Sequence, residues 1–328
     1  MRYIMRRVGF YLIALWAAIT INFIIPRLIP GDPVAAMLAK SSINPTPAMR
    51  QSLEALLGVP HTSLWVQYVQ YLGNVLTGNL GISITHFPTP VTDVISQEIP
   101  WTLGLIGLAA ILSFALGTLI GIIVAWKRDS WLDSLATPLI TFLSSVPYFW
   151  LALMLVMLLV VTYRLFPGVG GYDSVGTSIG FSPDFIGSVV QHGILPAFTI
   201  VISSIAGWLL TMRNTMVTTL SEDYVLMAQA KGLSTRRVMF AYAARNAILP
   251  NITGFGISLG LVVGGSLLVE LVFSYPGIGL QLYNAVTNLD YSLAQGIFLV
   301  ITLAVLLSNF LVDLLYVWLD PRIRQGGR

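Results

Sequence analysis

The stretch RNTMVTTLSEDYVLMAQAKGLSTRRV (residues 213–238), which continues as MFAYAARNAILP to Pro250, decides how this chain is read. Long apolar runs lie on both sides of it, so it is a polar loop between membrane helices. Its basic residues Arg213, Lys231, Arg236, Arg237 and Arg245 outnumber Glu222 and Asp223. Lys and Arg concentrate in loops on the cytoplasmic side, so the loop is expected there. Ala228 and Ala230 stand just before Gly232. Small residues beside a glycine suit a short helix that seats in another protein's groove. The plainer alternative is a solvated basic face that only sets topology.

Composition fits a membrane protein. Of 328 residues, 56% are hydrophobic and only 9% are charged, where a soluble domain carries about 25% charged residues. Lipid is therefore the solvent for most of the surface. The chain has no cysteine, which excludes disulfides, thiolate metal sites and cysteine nucleophiles. His61, His86 and His192 are far apart in sequence, and no bound metal is expected. No basic run interleaves with aromatics, so nucleic acid is not an expected partner.

A helix needs about 20 apolar residues to cross the hydrocarbon core. Six segments qualify: 8–29, 101–126, 135–162, 193–212, 250–273 and 294–319. They predict an all-α polytopic membrane protein with six transmembrane helices. The first follows Arg2, Arg6 and Arg7, but it is too long for a signal peptide and lacks a small-residue cleavage site, so it reads as an uncleaved anchor. With the N-terminus inside, the inner segments hold Arg2, Arg6, Arg7, Lys127, Arg128, Arg213, Lys231, Arg236, Arg237, Arg245, Arg322, Arg324 and Arg328. The outer segments hold only Arg27, Lys40, Arg50 and Arg164. Both termini are thus expected in the cytoplasm.

The chain then divides into residues 1–30, a cytoplasmic segment and the first helix; residues 31–100, an extracytoplasmic lobe; and residues 101–328, a five-helix core carrying the loop 213–249. The lobe reads as short helices. Thr46-Pro47 resembles a cap followed by proline at the first helical position, Gly58 a stop, and Met49, Leu53, Leu56 and Leu57 have helical spacing. A second amphipathic run over 64–76 ends at Thr77-Gly78-Asn79.

No Gly-Lys dipeptide occurs, so the chain has no phosphate-cradling loop of the G-x-x-x-x-G-K-[ST] type. If ATP drives this protein, another chain hydrolyses it. Gly256-Ile-Ser258-Leu-Gly260 matches G-x-S-x-G. That pattern needs a strand-to-helix turn and a histidine base, and here it lies inside a membrane helix. An intramembrane serine hydrolase is the lesser reading. The better one makes Gly256, Gly260 and Gly264 a small-residue ridge for close helix packing, a device repeated at Gly117 and Gly121. Glu270 and Asp313 lie near span ends, where each is expected to reach interfacial water or pair with an arginine.

Motifs recur in a fixed order: Gly31-Asp-Pro33, Leu57-Gly58, Gln67-Tyr68, Gly78-Asn-Leu-Gly-Ile-Ser83, Pro90-Val91 and Pro100-x-Thr-Leu103. Then come Asp223-Tyr224, Ala228-x-Ala-Lys-Gly-Leu233, Arg236-Arg237, Arg245-Asn-Ala-x-Leu-Pro250, Glu270, Phe273, Pro276-Gly-Ile-Gly279, Asp290-Tyr-Ser292 and Asp320-Pro-Arg-x-Arg324. In these the chain resembles, over nearly its full length, the first permease subunit of the oligopeptide/dipeptide/nickel group of ABC importers. It departs from the general permease loop motif Glu-Ala-Ala-x-x-x-Gly by having Leu226, Met227 and Ala228 at the aligned positions. Asn79 stands where the group often has aspartate.

The resemblance implies a type I ABC importer permease fold in a prokaryotic cytoplasmic membrane. It implies a second homologous permease, two ABC ATPase subunits inside that bind ATP and Mg, and a substrate-binding protein outside. The chain itself would bind no cofactor and catalyse no reaction. Asp223, Tyr224, Ala228, Ala230, Lys231, Gly232 and Arg237 would couple to the ATPase. Asn251, Gly256, Ser258, Gly260, Gly264 and Glu270 are candidates for the pathway. Peptides, or oligosaccharides, are the expected cargo. A stand-alone secondary transporter is the alternative from another class.

Overall fold

The structure, a computed structural model, describes residues 2–28, 34, 35, 38, 46, 47, 50–52 and 63–319. Its helices are, in chain order, α1 (Arg2–Leu28), α2 (Leu64–Thr77), α3 (Val91–Thr102), α4 (Leu108–Trp126), α5 (Trp131–Ser145), α6 (Tyr148–Leu155), α7 (Pro183–Leu220) and α8 (Asp223–Ala230). There follow α9 (Thr235–Arg237), α10 (Arg245–Ala247), α11 (Leu249–Val262), α12 (Leu267–Phe273), α13 (Ile278–Thr287) and α14 (Tyr291–Leu319). π-Helical turns occupy Leu103–Gly107, Val156–Thr162 and Val238–Ala244. The chain is an all-α polytopic membrane protein. Among the described residues four helices are long and apolar enough to cross a bilayer, and six spans result when each of two bent pairs counts as one.

Two expected spans are not straight. The third breaks between Ser145 and Tyr148 with a bend of 89°. Pro147 has no amide hydrogen, and it drives Val146 to extended backbone (φ −72°, ψ 125°), which ends the helix. The fifth breaks after Val262 with a bend of 55°. There Gly265 takes a left-handed φ of 73°, a conformation glycine adopts without Cβ strain.

Two other spans run longer than their apolar cores. The second starts at Val91 and continues to Trp126, ten residues ahead of the expected start at Trp101. Pro100 is absorbed inside the helix, just before the π turn. The fourth extends to 38 residues, Pro183–Leu220. Ser182 caps it by accepting from the Phe185 amide at 3.3 Å, and Pro183 occupies the first turn. At the far end Asn214 to Thr219 stay helical, so the polar loop begins only at Ser221.

The chain forms two compact units. The first holds α1, α2, α3, α13 and α14. Its core joins Val91, Val94 and Ile95 to Ile278, Ala285, Leu293, Ala294 and Ile297. Asp313 accepts from Tyr11 Oη at 2.7 Å and pairs with Arg7 at 2.8 Å, which clasps α1 to α14. The expected arginine partner of Asp313 is therefore present. Helix α2 ends as its sequence indicates, with Gly78 left-handed at φ 74° and the Asn79 amide donating to the Asn74 carbonyl at 2.9 Å. At the Thr46-Pro47 start, the Arg50 amide donates to the Thr46 carbonyl at 3.0 Å. Gly31–Pro33, Met49, Leu53 to Gly58 and the Asp320–Arg324 motif lie outside the described residues.

The second unit is built on α4 against α7. A Cβ on Gly117 would lie 2.7 Å from the Ile205 carbonyl oxygen, and one on Gly121 would lie 2.7 Å from that of Leu209. The backbones therefore touch where the two glycines face α7, as the small-residue spacing predicts.

Candidate functional site

The loop after α7 folds back onto the second unit. Val225 and Ala228 of α8 enter a cluster with Ile122 and Ala125 of α4, Met212 and Met216 of α7, and Val238, Ala243, Ala244 and Ala247. Their three-residue spacing puts both on the inner face of the helix. The Asn246 amide donates to Tyr224 Oη at 2.8 Å, and Thr215 Oγ1 donates to the Ala247 carbonyl at 2.9 Å. Helix α8 is thus braced from below by apolar packing and pinned at its start.

The expected coupling residues divide accordingly. Ala228 is 3% exposed, so it supports the surface rather than forming it. Asp223, Tyr224, Ala230, Lys231, Gly232 and Arg237 all reach the surface. Met227, with 59% of its surface exposed, and Leu226 join them. Gly232 turns the chain at a left-handed φ of 72°, with open space where a Cβ would stand. A groove of about 490 Å³ beside this helix is lined by Tyr224, Arg237, Ala241, Tyr242, Arg245 and Asn246. The exposed rim is basic, with Lys231, Arg236, Arg237 and Arg245. Asp223, in the first turn of α8, complements the positive end of the helix dipole.

The sequence reading missed Asn246 and Tyr242 as parts of this site. Asn246 was legible only as a member of the Arg245-Asn-Ala motif. It also missed Asp133, which grips Arg213 in a two-pronged ion pair: Nε to Oδ1 at 2.8 Å and Nη2 to Oδ2 at 2.7 Å. Thr137 Oγ1 donates to the same carboxylate at 3.0 Å. This pair fastens α5 to α7 about two turns before the loop.

The pathway candidates scatter. Asn251 is fully buried and glues three helices. Its Nδ2 donates to Thr118 Oγ1 at 2.9 Å and to the Trp208 carbonyl at 3.0 Å, while its Oδ1 has no donor among the described residues. Phe114 stacks on Phe255 at 4.4 Å, with Trp208 edge-on to both. Gly256 and Gly260 lie on α11, but Gly264 falls in the break after Val262 and does not continue their ridge. Ser258 Oγ donates to the Phe255 carbonyl at 2.8 Å, an intrahelical bond, and no histidine bonds it among the described residues. The nucleophile–base arrangement of a hydrolase is not assembled there.

Glu270 does not reach interfacial water as expected; it is fully buried on α12. Its carbonyl accepts from the Tyr275 amide at 2.8 Å. Burial, helped by the nearby Glu270 charge, pushes the Tyr275 phenol up to about 12. Among the described residues no three histidine, aspartate or glutamate side chains converge as metal ligands.

Comparison with known proteins bears on this arrangement. The family described as "Binding-protein-dependent transport system inner membrane component" matches residues 117–325. Similar chains include the dipeptide transport system permease protein DppB of Escherichia coli (strain K12), 35% identical with 99% of each chain covered. The di/tripeptide transport system permease protein DppB of Pseudomonas aeruginosa is 38% identical over 98% of each chain. The oligopeptide transport system permease protein AppB of Bacillus subtilis is 33% identical over 98% of each.

Proposed function

The chain belongs to the family of binding-protein-dependent transport system inner membrane components, and from that premise we propose that it is one permease half of an ATP-driven importer of short peptides. The cargo follows the relatives, which are described as dipeptide, di/tripeptide and oligopeptide permeases. Oligosaccharide cargo, an ion-driven stand-alone transporter and a serine hydrolase find no such support.

The reading rests on α8, whose exposed Leu226 and Met227 are followed by the basic Lys231, Arg236 and Arg237, and which packs against α4 and α7. Tyr224, Met227, Ala230, Lys231, Gly232 and Arg237 meet the ATPase, and Ala228 sets the height of that surface from beneath. Force on α8 passes through the Met212–Met216 cluster into α7. With 38 residues at about 1.5 Å each, α7 is longer than the roughly 30 Å hydrocarbon core it crosses. It can carry a displacement at the loop to the far side. The ATPase supplies the differential binding that shifts the inward–outward equilibrium, as any such shift requires.

The partners are a second homologous permease, two ATPase subunits that hold ATP and Mg, and a binding protein on the opposite face. The chain itself binds no nucleotide and catalyses no step, consistent with its lack of a Gly-Lys phosphate loop. Both termini face the cytoplasm of a prokaryotic cell, as the Lys and Arg distribution favours. Of the pathway candidates Asn251, Gly256, Ser258, Gly260, Gly264 and Glu270, Asn251 acts as a clamp between helices.

The test is ATP hydrolysis by the reconstituted complex with its binding protein, titrated with di- to oligopeptides and, separately, with oligosaccharides. Stimulation by peptides alone is expected. Uptake by the isolated chain under an ion gradient, with no ATPase present, would overturn the proposal.

A further inference from the structure

Helix α2 turns large apolar side chains outward. Its sequence, LWVQYVQYLGNVLT, contains no charged residue. Trp65, Val69 and Leu76 share one face, being four and seven residues apart, and they are 71%, 51% and 87% exposed. The inner face is mixed, with Leu72 and Val75 half-buried beside Gln67, Tyr68 and Tyr71. Thr20 Oγ1 and Tyr68 Oη lie 2.7 Å apart, Asn22 Nδ2 donates to Tyr71 Oη at 3.1 Å, and Arg27 Nη2 donates to Gln67 Oε1 at 3.1 Å. Phe23 meets the rings of both Tyr68 and Tyr71, at 5.2 and 5.6 Å.

These contacts fix the depth of α2. They all fall on residues 20–27 of α1, near the C-terminal end of its apolar stretch Arg6–Leu28. At 1.5 Å per residue the contacts lie within about 12 Å of that end. Asn22 Nδ2 also donates to the Gln295 carbonyl at 2.8 Å, and Gln295 is four residues into α14, whose crossing segment begins at Tyr291. The contacts of α2 on α1, and of α1 on α14, thus both lie near one end of these apolar spans. On α1, Ile21, Ile24 and Leu28 are exposed as well.

We propose that α2 is an interfacial helix, with Trp65, Val69 and Leu76 embedded among lipid acyl chains of the leaflet where α1 ends. This part of the expected extracytoplasmic lobe is then a membrane-seated collar. An uncharged apolar face beside the end of an apolar span fits lipid, and a tryptophan suits the headgroup boundary. Arg27, Gln67, Gln70 and Asn74 line a polar cleft on the other side of α2, which keeps that side hydrated.

The chain has no cysteine, so single-cysteine variants are clean probes. Spin labels at Trp65→Cys, Val69→Cys and Leu76→Cys would be measured in the full complex, in vesicles of phosphatidylethanolamine and phosphatidylglycerol. Ile13→Cys on the lipid face of α1 and Asn74→Cys on the polar side calibrate lipid and water. Collisions with oxygen should exceed those with a water-soluble nickel chelate several-fold at the three apolar positions, with the opposite ratio at position 74. Chelate-dominated collisions at 65, 69 and 76 would place the face in water and overturn the proposal. Exclusion of both reagents there, while position 13 stays open to oxygen, would mean a protein partner covers it, and would equally overturn it.

Discussion

Ser83 Oγ donates to Asp290 Oδ2 at 2.6 Å, joining two points 207 residues apart. The same buried carboxylate accepts from the Thr85 amide at 2.8 Å and from the Leu293 amide at 3.1 Å. It therefore caps α14 and gathers the turn before α3 in one act. Asp290→Ala leaves a hydroxyl and two amides buried without this acceptor, a loss of about 3 kcal/mol. The expected outcome is a clear fall in the thermal midpoint of the purified protein, with Asp290→Asn falling less. An unchanged midpoint for the alanine variant would show that the carboxylate does not hold the turn.

The Asp133–Arg213 pair is the second long-range clasp. Removing Asp133 strands the Arg213 guanidinium, but that side chain stays 22% exposed, so the cost falls below that of a fully buried pair, at about 1–3 kcal/mol. Asp133→Ala should lower stability sharply. Because the partners are mostly shielded, the wild-type stability should change little between low and high salt. A pronounced salt dependence that vanishes in Asp133→Ala would contradict the burial seen here.

Helix approach at Gly121 leaves no room for a methyl group, because the obstacle is the Leu209 carbonyl at 2.7 Å. Gly121→Ala must push α4 off α7 and should destabilise by about 1–3 kcal/mol. Gly254→Ala meets only the rim of Trp208, at 3.2 Å. A side chain can yield where a backbone cannot, so this variant should be the milder of the two in a melting comparison.

Adjacent residues of α8 should behave oppositely. Met227→Glu alters the exposed face and should leave the fold intact. The loss of one central apolar contact, roughly 1–2 kcal/mol, should weaken ATPase association about tenfold. Ala228→Leu overfills the cluster beneath and should lower the melting midpoint instead. Equal stability and equal ATPase affinity in both variants would refute the division of inner and outer faces.

At Gly232 conformation and bulk can be separated. Asparagine tolerates left-handed backbone, so Gly232→Asn should transport almost normally. Gly232→Arg, which projects into open space in this chain, should still assemble with the ATPase subunits yet abolish uptake. Normal substrate uptake by the arginine variant would remove the turn from the coupling surface.

Sequence alone determined the solvent, the helical class and the place of the loop. Those follow from the length of apolar runs and the distribution of charge, which lipid imposes on any chain that crosses it. The Gly117 and Gly121 spacing likewise announced close packing, since four residues always return to one helix face. What sequence left open was every partnership across distance. Nothing near Arg213 announces Asp133, and nothing near Ser83 announces Asp290. Ala228 and Met227 look alike as loop residues until packing buries one and bares the other. The bends at Pro147 and Gly265 were hidden inside apolar runs, because hydropathy averages over the residues that carry a break. Only the tertiary structure decides such matters, since burial and hydrogen bonding depend on which elements meet.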